Sequence, residues 1–258
     1  MHTRRWLTRV AVIGVAVWVV MSSVWTVTSL WARRDAVRDR VARVFGKDPM
    51  SATRALIDDY LASTPEPKLQ IGAGSNNLAG WLNTDIEPRP GQAYLDAMRP
   101  FPIPDNTLQY VYAEQVIEHL PYEGGLVMLR ESYRTLKPGG RLRIATPDLH
   151  QLLVLFDAES TPAEGRFMEK QLGLEKISVA PVEQPLFALN LYFRAWGHQF
   201  LYDQRAMVAA LGSVGFRDIR RYRRFEADVP DLRTVEQHVK IIGADVDEYV
   251  TMIVQATK

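Results

Sequence analysis

The 258-residue chain has no cysteine. That excludes a disulfide framework, a lipid-modified cysteine and any thiolate metal site. An excess of one charge is missing too: 31 lysines and arginines against 30 aspartates and glutamates leave a net charge of +1. A dedicated nucleic-acid binder carries a marked basic excess, so a nucleic-acid partner is not expected. No G-K-[ST] follows the glycine turn at Gly72, which excludes a P-loop. The five histidines are scattered without ligand spacing, so the sequence predicts no metal. No internal repeat is visible. The rest, 47% hydrophobic and 24% charged, is the composition of an ordinary globular protein.

What the chain does have begins with a hydrophobic run. Val10 to Ala32 are 23 residues without a charge, and a helix of that length spans about 30 Å, the thickness of a bilayer's hydrocarbon layer. Trp6 and Trp31 sit near its ends, where amphipathic rings favour the interface, although Trp18 and Trp25 lie inside it. The run is long for a cleaved signal peptide and no A-x-A-like site follows. Residues 1–32 are therefore expected to form a retained single-pass anchor. Arg4, Arg5 and Arg9 precede the span, and Arg33, Arg34, Arg38, Arg40, Arg43 and Lys47 follow it. The larger positive count on the C-terminal side predicts that the rest of the chain lies in the cytoplasm.

Residues 33–67 read as a helical neck and linker. Val37, Val41, Val44 and Phe45 share a helical face, Asp48-Pro49 marks a break, Ala52 to Ala62 suggests a second helix, and Thr64-Pro65-Glu66-Pro67 a linker. Such a neck either packs on the domain as a spacer or lies on anionic lipid. From Lys68 onward short apolar runs alternate with helical patterns. Strands are predicted at Leu69–Ile71, Leu82–Ile86, Ala93–Leu95, Leu108–Ala113, Leu142–Ala145, Phe216–Tyr222 and Tyr249–Gln255. Helices are predicted from Tyr122 to Leu136, stopped by Lys137-Pro138-Gly139-Gly140, and from Asp203 to Leu211, closed by Gly212 or Gly215. The alternation argues for an α/β fold with a parallel sheet.

The glycine turn, in "KLQIGAGSNNLAGWLNTDIEP", raises the question of its ligand. A dinucleotide site reads G-x-G-x-x-G/A with an acid about 20 residues on. Here position 77 is Asn and Asp85 comes 11 residues after Gly74, which counts against a nicotinamide cofactor. Four stretches taken together are more specific: "IGAGSNNLAGWLNTDIEP", "DAMRPFPIPDNTLQYVYAEQVIEHL", "LRESYRTLKPGGRLRIATPDL" and "GHQFLYDQRAMVAALGSVGF". In order and spacing they resemble the class I S-adenosylmethionine-dependent methyltransferases of the type 11 group, over roughly Lys68 to Lys258.

The resemblance implies a Rossmann-like fold with a mostly parallel seven-stranded sheet and an antiparallel last strand, S-adenosylmethionine as cofactor, and residues 151–197 as a substrate lid. It implies cofactor contacts at Gly72 and Gly74, whose backbone approaches the ligand closely, and at Asp85 with Ile86 beside it, the acid accepting from the ribose hydroxyls. Asp96 and Ala97 would lie beside the adenine, and Ala113, Glu114 and Gln115 under the methionine portion. The chain departs from the family at Gln70, where an acid is usual, and in the shortened first helix. Among acceptor-side candidates, His119 is either a packed structural histidine or part of the substrate site, and Asp148 either binds substrate or caps the helix at Leu149. Trp196 belongs to an aromatic stretch that lines a pocket or closes the core. His198 is the candidate general base, or else orients its loop. These readings predict methyl transfer to oxygen or nitrogen of a small or lipid-linked acceptor, a saccharide or polyprenyl-linked glycan first and a quinone or phospholipid headgroup second. The alternatives are a membrane-tethered cofactor-binding protein without catalysis and a nicotinamide-dependent oxidoreductase.

Overall fold

The computed structural model describes residues 49–157 and 161–258. The expected anchor, and the neck as far as residue 48, lie outside the described residues; among the described residues no helix is long and apolar enough to cross a membrane. A helix, α1 (Pro49–Ser63), takes the place of the second neck helix. Its Ile57 is fully buried in the main core, and Thr53 onward forms one compact unit with the rest of the described chain.

The strands are β1 (Lys68–Ile71), β2 (Leu82–Asp85), β3 (Ala93–Tyr94), β4 (Leu108–Glu114), β5 (Leu136–Pro147), β6 (Arg217–Tyr222) and β7 (Thr251–Thr257). Among the described residues they make one seven-stranded sheet in the order β3-β2-β1-β4-β5-β7-β6. The pairings from β3 across to β5 are parallel, and the last strand, β7, runs antiparallel to both β5 and β6. This is the expected sheet. One face of its central strands, Leu69, Ile71, Val111, Ala113, Leu142 and Ile144, is buried in the main core with Ile57 of α1, and on the other face Tyr112 packs with Trp81, Leu232 and Val235. From β1 the chain moves outward through β2 and β3, then returns to β4 on the other side of β1. The resulting switch point falls at the carboxyl ends of β1 and β4, the place where sheets of this kind bind ligands.

Helix α2 (Tyr122–Thr135) covers the predicted pattern and carries two glycines in its first turns. They are needed there: an added Cβ would sit 2.4 Å from Met98 Sδ at Gly124 and 2.5 Å from Tyr202 Oη at Gly125. The stop after α2 differs from expectation. Lys137-Pro138-Gly139-Gly140 does not end in a turn but runs inside β5 as an irregularity. Gly139 takes φ +78°, and a Cβ on Gly140 would meet the carbonyl oxygens of Lys137 and Gln109 at 2.9 and 3.1 Å. Only glycines let the strand bulge and still pair with β4.

The segment after β5 is helical: α3 (Leu149–Val154), α4 (Pro162–Leu174) and α5 (Gln184–Arg194). Helix α6 (Gln204–Val214) then starts at Asp203, whose carboxylate accepts from Ala206 N at 2.7 Å. Gly215, at φ +113°, closes it. Helices α7 (Val239–Ile242) and α8 (Ala244–Val250) lie in the stretch before β7. Helices α3, α4, α5 and α8 share a second core, built on Leu152, Phe167, Met168, Tyr192, Val246 and Val250. Each fully buried side chain of this kind contributes roughly 1.5–3 kcal/mol, so the inserted helices bring their own packing to the lid position.

Candidate active site

At the switch point the chain leaves β1 through Gly72 and Gly74, at φ +67° and +53°. Gly72 is required by packing as well as by its backbone angle, because an added Cβ would lie 2.4 Å from Val116 Cγ2. Gly74 meets nothing within 4 Å at that position, so its turn faces open space. Asp85, the last residue of β2, accepts from Gly74 N and Glu87 N, both at 2.8 Å. Two backbone donors fix the carboxylate and leave it lone pairs for further donors. Asn77, where a dinucleotide fingerprint has glycine, accepts from Gln92 Nε2 at 2.6 Å, and the same amide donates to Gly74 O. Gln70, where the family has an acid, is buried and donates to Asn76 O while accepting from Leu78 N. It holds the loop that replaces the first helix of the family pattern.

The other cofactor candidates fall around this turn. Ile86 is 38% exposed, an apolar surface beside Asp85 that a ligand ring can cover. Ala97 and Ala113 are buried. Asp96 is buried too, accepting from Met98 N and pairing with Arg99. The resemblance places Glu114 under the methionine portion. Its carboxylate instead accepts from the backbone of Gln237 and His238, at 2.9–3.0 Å. It ties the end of β4 to the C-terminal segment. These residues suit S-adenosylmethionine: an oriented carboxylate, a left-handed glycine turn opening outward, and an uncovered apolar face.

The acceptor-side candidates come together at the mouth of β4 and β5. A cavity of about 350 Å³ is lined by Gln115, His119, Pro147, Trp196, His198 and His238, among others. The rings of His119 and His198 stand edge to face with centroids 4.8 Å apart. His198 Nδ1 lies 2.7 Å from the Tyr192 carbonyl oxygen. A carbonyl only accepts, so Nδ1 carries the proton and a neutral ring keeps its lone pair on Nε2. Burial pushes His198 below its ordinary pKa, and burial together with neighbouring His198 pushes His119 down to about 4. Both rings are neutral at pH 7. Beneath them Glu118 is fully buried, and burial raises its pKa to about 7 despite a 3.0 Å hydrogen bond from Thr146 Oγ1.

Asp148 resolves toward the cap. It is fully buried, accepts from His150 N at 3.0 Å and pairs with Arg221 at 2.7 Å. It lines a separate cavity of about 560 Å³ with His150 and Arg221. Trp196 adopts φ +55° and donates from Nε1 to Glu175. Sequence reasoning missed His238 and the burial of Glu118, and it saw no histidine cluster because His119 and His198 belong to different segments. A sharp signal was available only for His198, in its position before Asp203 and α6.

Residues 69–144 match the family described as "Methyltransferase domain". No curated protein matches the chain by sequence. Solved structures similar to it include an S-adenosylmethionine-dependent methyltransferase from Archaeoglobus fulgidus, 16% identical, covering 87% of this chain and 94% of its own, with a TM-score of 0.46. A possible histamine N-methyltransferase from Thermotoga maritima is 14% identical, covering 86% and 99%, with a TM-score of 0.43. A Mesorhizobium loti methyltransferase is also 14% identical, covering 83% and 99%, with a TM-score of 0.43.

Proposed function

We infer that the chain is a methyltransferase that uses S-adenosylmethionine, a reading supported by the match of residues 69–144 to the methyltransferase domain family, and from it we infer the acceptor side of the reaction. When bound, that cofactor supplies an electrophilic sulfonium methyl. Gly72, Gly74 and Asp85 would hold it at the switch point, with Ile86, Asp96 and Ala97 on the adenine side. The acceptor would occupy the cavity between β4 and the inserted helices. There a neutral imidazole lone pair can take the proton that an oxygen or nitrogen nucleophile loses as it gains the methyl. In-line methyl transfer depends chiefly on positioning and desolvation, and the cavity is lined in part by buried apolar atoms. The observation that carries the reading is the oriented Asp85 carboxylate against the outward-facing glycine turn.

The acceptor is proposed to be lipid-linked. Leu174, Trp196 and Ile241 line the cavity and are 50%, 44% and 63% exposed, and Val182, Leu186, Phe187 and Phe193 of the same insertion are exposed as well. With the uncharged run Val10–Ala32 as a single-pass anchor, the enzyme would work at a membrane's cytoplasmic face. Its acceptor would be a glycan on a polyprenyl carrier or, second, a lipid headgroup or quinone. Transfer of labelled methyl into a defined lipid extract is expected; transfer to soluble sugars and amines alone would remove the lipid link.

Calorimetric titration tests the core of the reading. S-adenosylmethionine and its demethylated product should bind with micromolar affinity, and Asp85→Asn should weaken both by about tenfold or more. NAD binding in their place, or no binding by folded protein, would overturn it. Asn77, fixed by Gln92 where a third glycine would be, favours the first outcome.

A further inference from the structure

Three residues in the acceptor cavity stand in an arrangement that proton transfer alone does not require. Glu118, His119 and His198 each offer a donor atom, and these atoms lie within 4.8 Å of one another. Glu118 is fully buried; one carboxylate oxygen is taken by Thr146, and the other, Oε1, has no partner. A buried carboxylate with an empty oxygen is costly unless a cation or donor meets it. No lysine or arginine does so among the described ion pairs.

The outer contact of the His198 imidazole is that of a metal ligand. His198 donates from Nδ1 to the Tyr192 carbonyl, which turns Nε2 away from that anchor. A ligating histidine commonly gives its second nitrogen to a carbonyl, which fixes the ring and raises its basicity. The two segments are also bolted together. Gln199 N and Phe200 N donate to the carbonyl oxygen of Glu118 at 2.7 and 3.2 Å, and Gln199 Nε2 donates to that of His119 at 2.7 Å. His198 is thereby held over the Glu118-His119 pair whatever the rest of the insertion does.

We propose that Glu118, His119 and His198 bind one divalent transition-metal ion of the zinc type, with its remaining coordination positions open to the acceptor cavity. Two nitrogens and one oxygen favour a borderline ion over magnesium or calcium, which prefer all-oxygen shells. Three protein ligands with an open position are the pattern of a site that engages a small molecule rather than a closed structural site. Donors about 2.1 Å from a tetrahedral ion are roughly 3.4 Å apart. The present spacing of up to 4.8 Å therefore closes by side-chain rotation of Glu118 and His119 around the anchored His198. An acceptor oxygen or nitrogen bound to the ion would lose its proton to solvent more readily, and the two imidazoles, their lone pairs on the ion, would then act as ligands rather than as the base. Metal binding itself does not depend on methyl transfer.

The test uses the full chain, stripped with chelator and titrated with Co²⁺ and Zn²⁺ in the absence of cofactor. The expected result is one equivalent bound, with the intense visible absorption of four- or five-coordinate cobalt, displaced by zinc. Glu118→Gln and His198→Gln, each close in shape to the native side chain, should weaken binding by about 10–100-fold, while His150→Gln leaves it unchanged. Retained S-adenosylmethionine binding identifies variants that are folded. Absence of stoichiometric binding by wild type, a weak spectrum of hydrated octahedral cobalt, or equal affinity in both ligand variants would overturn the proposal. Because the readout is cobalt absorption without cofactor, failure here is distinct from failure of cofactor binding.

Discussion

The two halves of the active site are built differently. The half proposed to hold the cofactor is backbone: a left-handed turn at Gly72 and Gly74, held by Asp85 and Gln92 across neighbouring loops. It stands directly on β1, β2 and β4 and shares their core. The half proposed to take the acceptor joins Glu118 and His119, just after β4, to His198 at the end of an insertion with a separate core of Leu152, Phe167, Tyr192 and Val246. Among the described ion pairs none lies within 161–197, whereas Arg134 alone reaches Glu131, Asp105 and the carbonyl oxygens of Phe101 and Ile103 beside the sheet. A half built into the sheet cannot be altered without disturbing the fold. A half with its own core can change its substrate while the cofactor site stays as it is.

The separation is broken most sharply at Phe167. It is 1% exposed and stacks on Tyr249 at 4.7 Å and Tyr192 at 6.1 Å. Phe167→Ala should cost the insertion about 3–5 kcal/mol. Tyr192, whose carbonyl anchors His198, loses its packing partner. Methyl transfer should fall by more than tenfold while cofactor affinity, measured by calorimetry, changes by less than about twofold. If both fall together, the two cores unfold as one and the contrast between the halves is lost.

A pair of glycines sharpens the comparison at smaller scale. Both Gly72 and Gly197 are left-handed, at φ +67° and +82°. An alanine Cβ at Gly72 would collide with the stiff side chain of Val116 at 2.4 Å, whereas at Gly197 its nearest neighbour is His119 Nδ1 at 3.9 Å. Gly72→Ala should therefore cost about 3 kcal/mol and abolish cofactor binding, while Gly197→Ala pays only the left-handed penalty of about 1–2 kcal/mol. Thermal melts with and without S-adenosylmethionine separate the two.

How much of this was legible in the sequence follows the same division. The strands around Gly72, the placement of Asp85 and the central strand at Leu108–Ala113 could be read because local pattern and backbone requirement coincide there. The switch point then follows from sheet topology. Pro138-Gly139-Gly140 misled because a bulge inside a strand and a turn demand the same residues; only the carbonyl oxygen of Gln109 across the ladder distinguishes them. The insertion gave no helix boundaries. Its helices are amphipathic toward a private core whose other wall, Val246 and Val250, comes from far along the chain. Glu114 was assigned to the ligand by resemblance, and nothing near it in sequence announces the backbone of Gln237 and His238 that claims its carboxylate. The Glu118–His119–His198 cluster exists only after β4 and the segment before α6 are brought together.

The smallest expected effect concerns acid. Glu131 is partly buried, which by itself would raise its pKa; hydrogen bonds from Arg134 and from Phe101 N outweigh burial and leave it below its ordinary 4.5. A carboxylate whose folded pKa is depressed stabilises the fold fully above the unfolded value. That contribution is lost as pH falls from the unfolded value through the lower folded one. Arg134 stays charged throughout, its own pKa raised by the Glu131 hydrogen bonds. Glu131→Gln should therefore lower the melting temperature at pH 7 by an amount worth about 1 kcal/mol or less, and the gap to wild type should narrow below pH 4.5. Because this pair clamps the 101–105 loop to α2 beside the sheet, hydrogen exchange should place the change there and leave α4 and α5 as they were. A gap that stayed constant with pH would mean that Glu131 acts through the acceptor oxygen that glutamine lacks rather than through its charge.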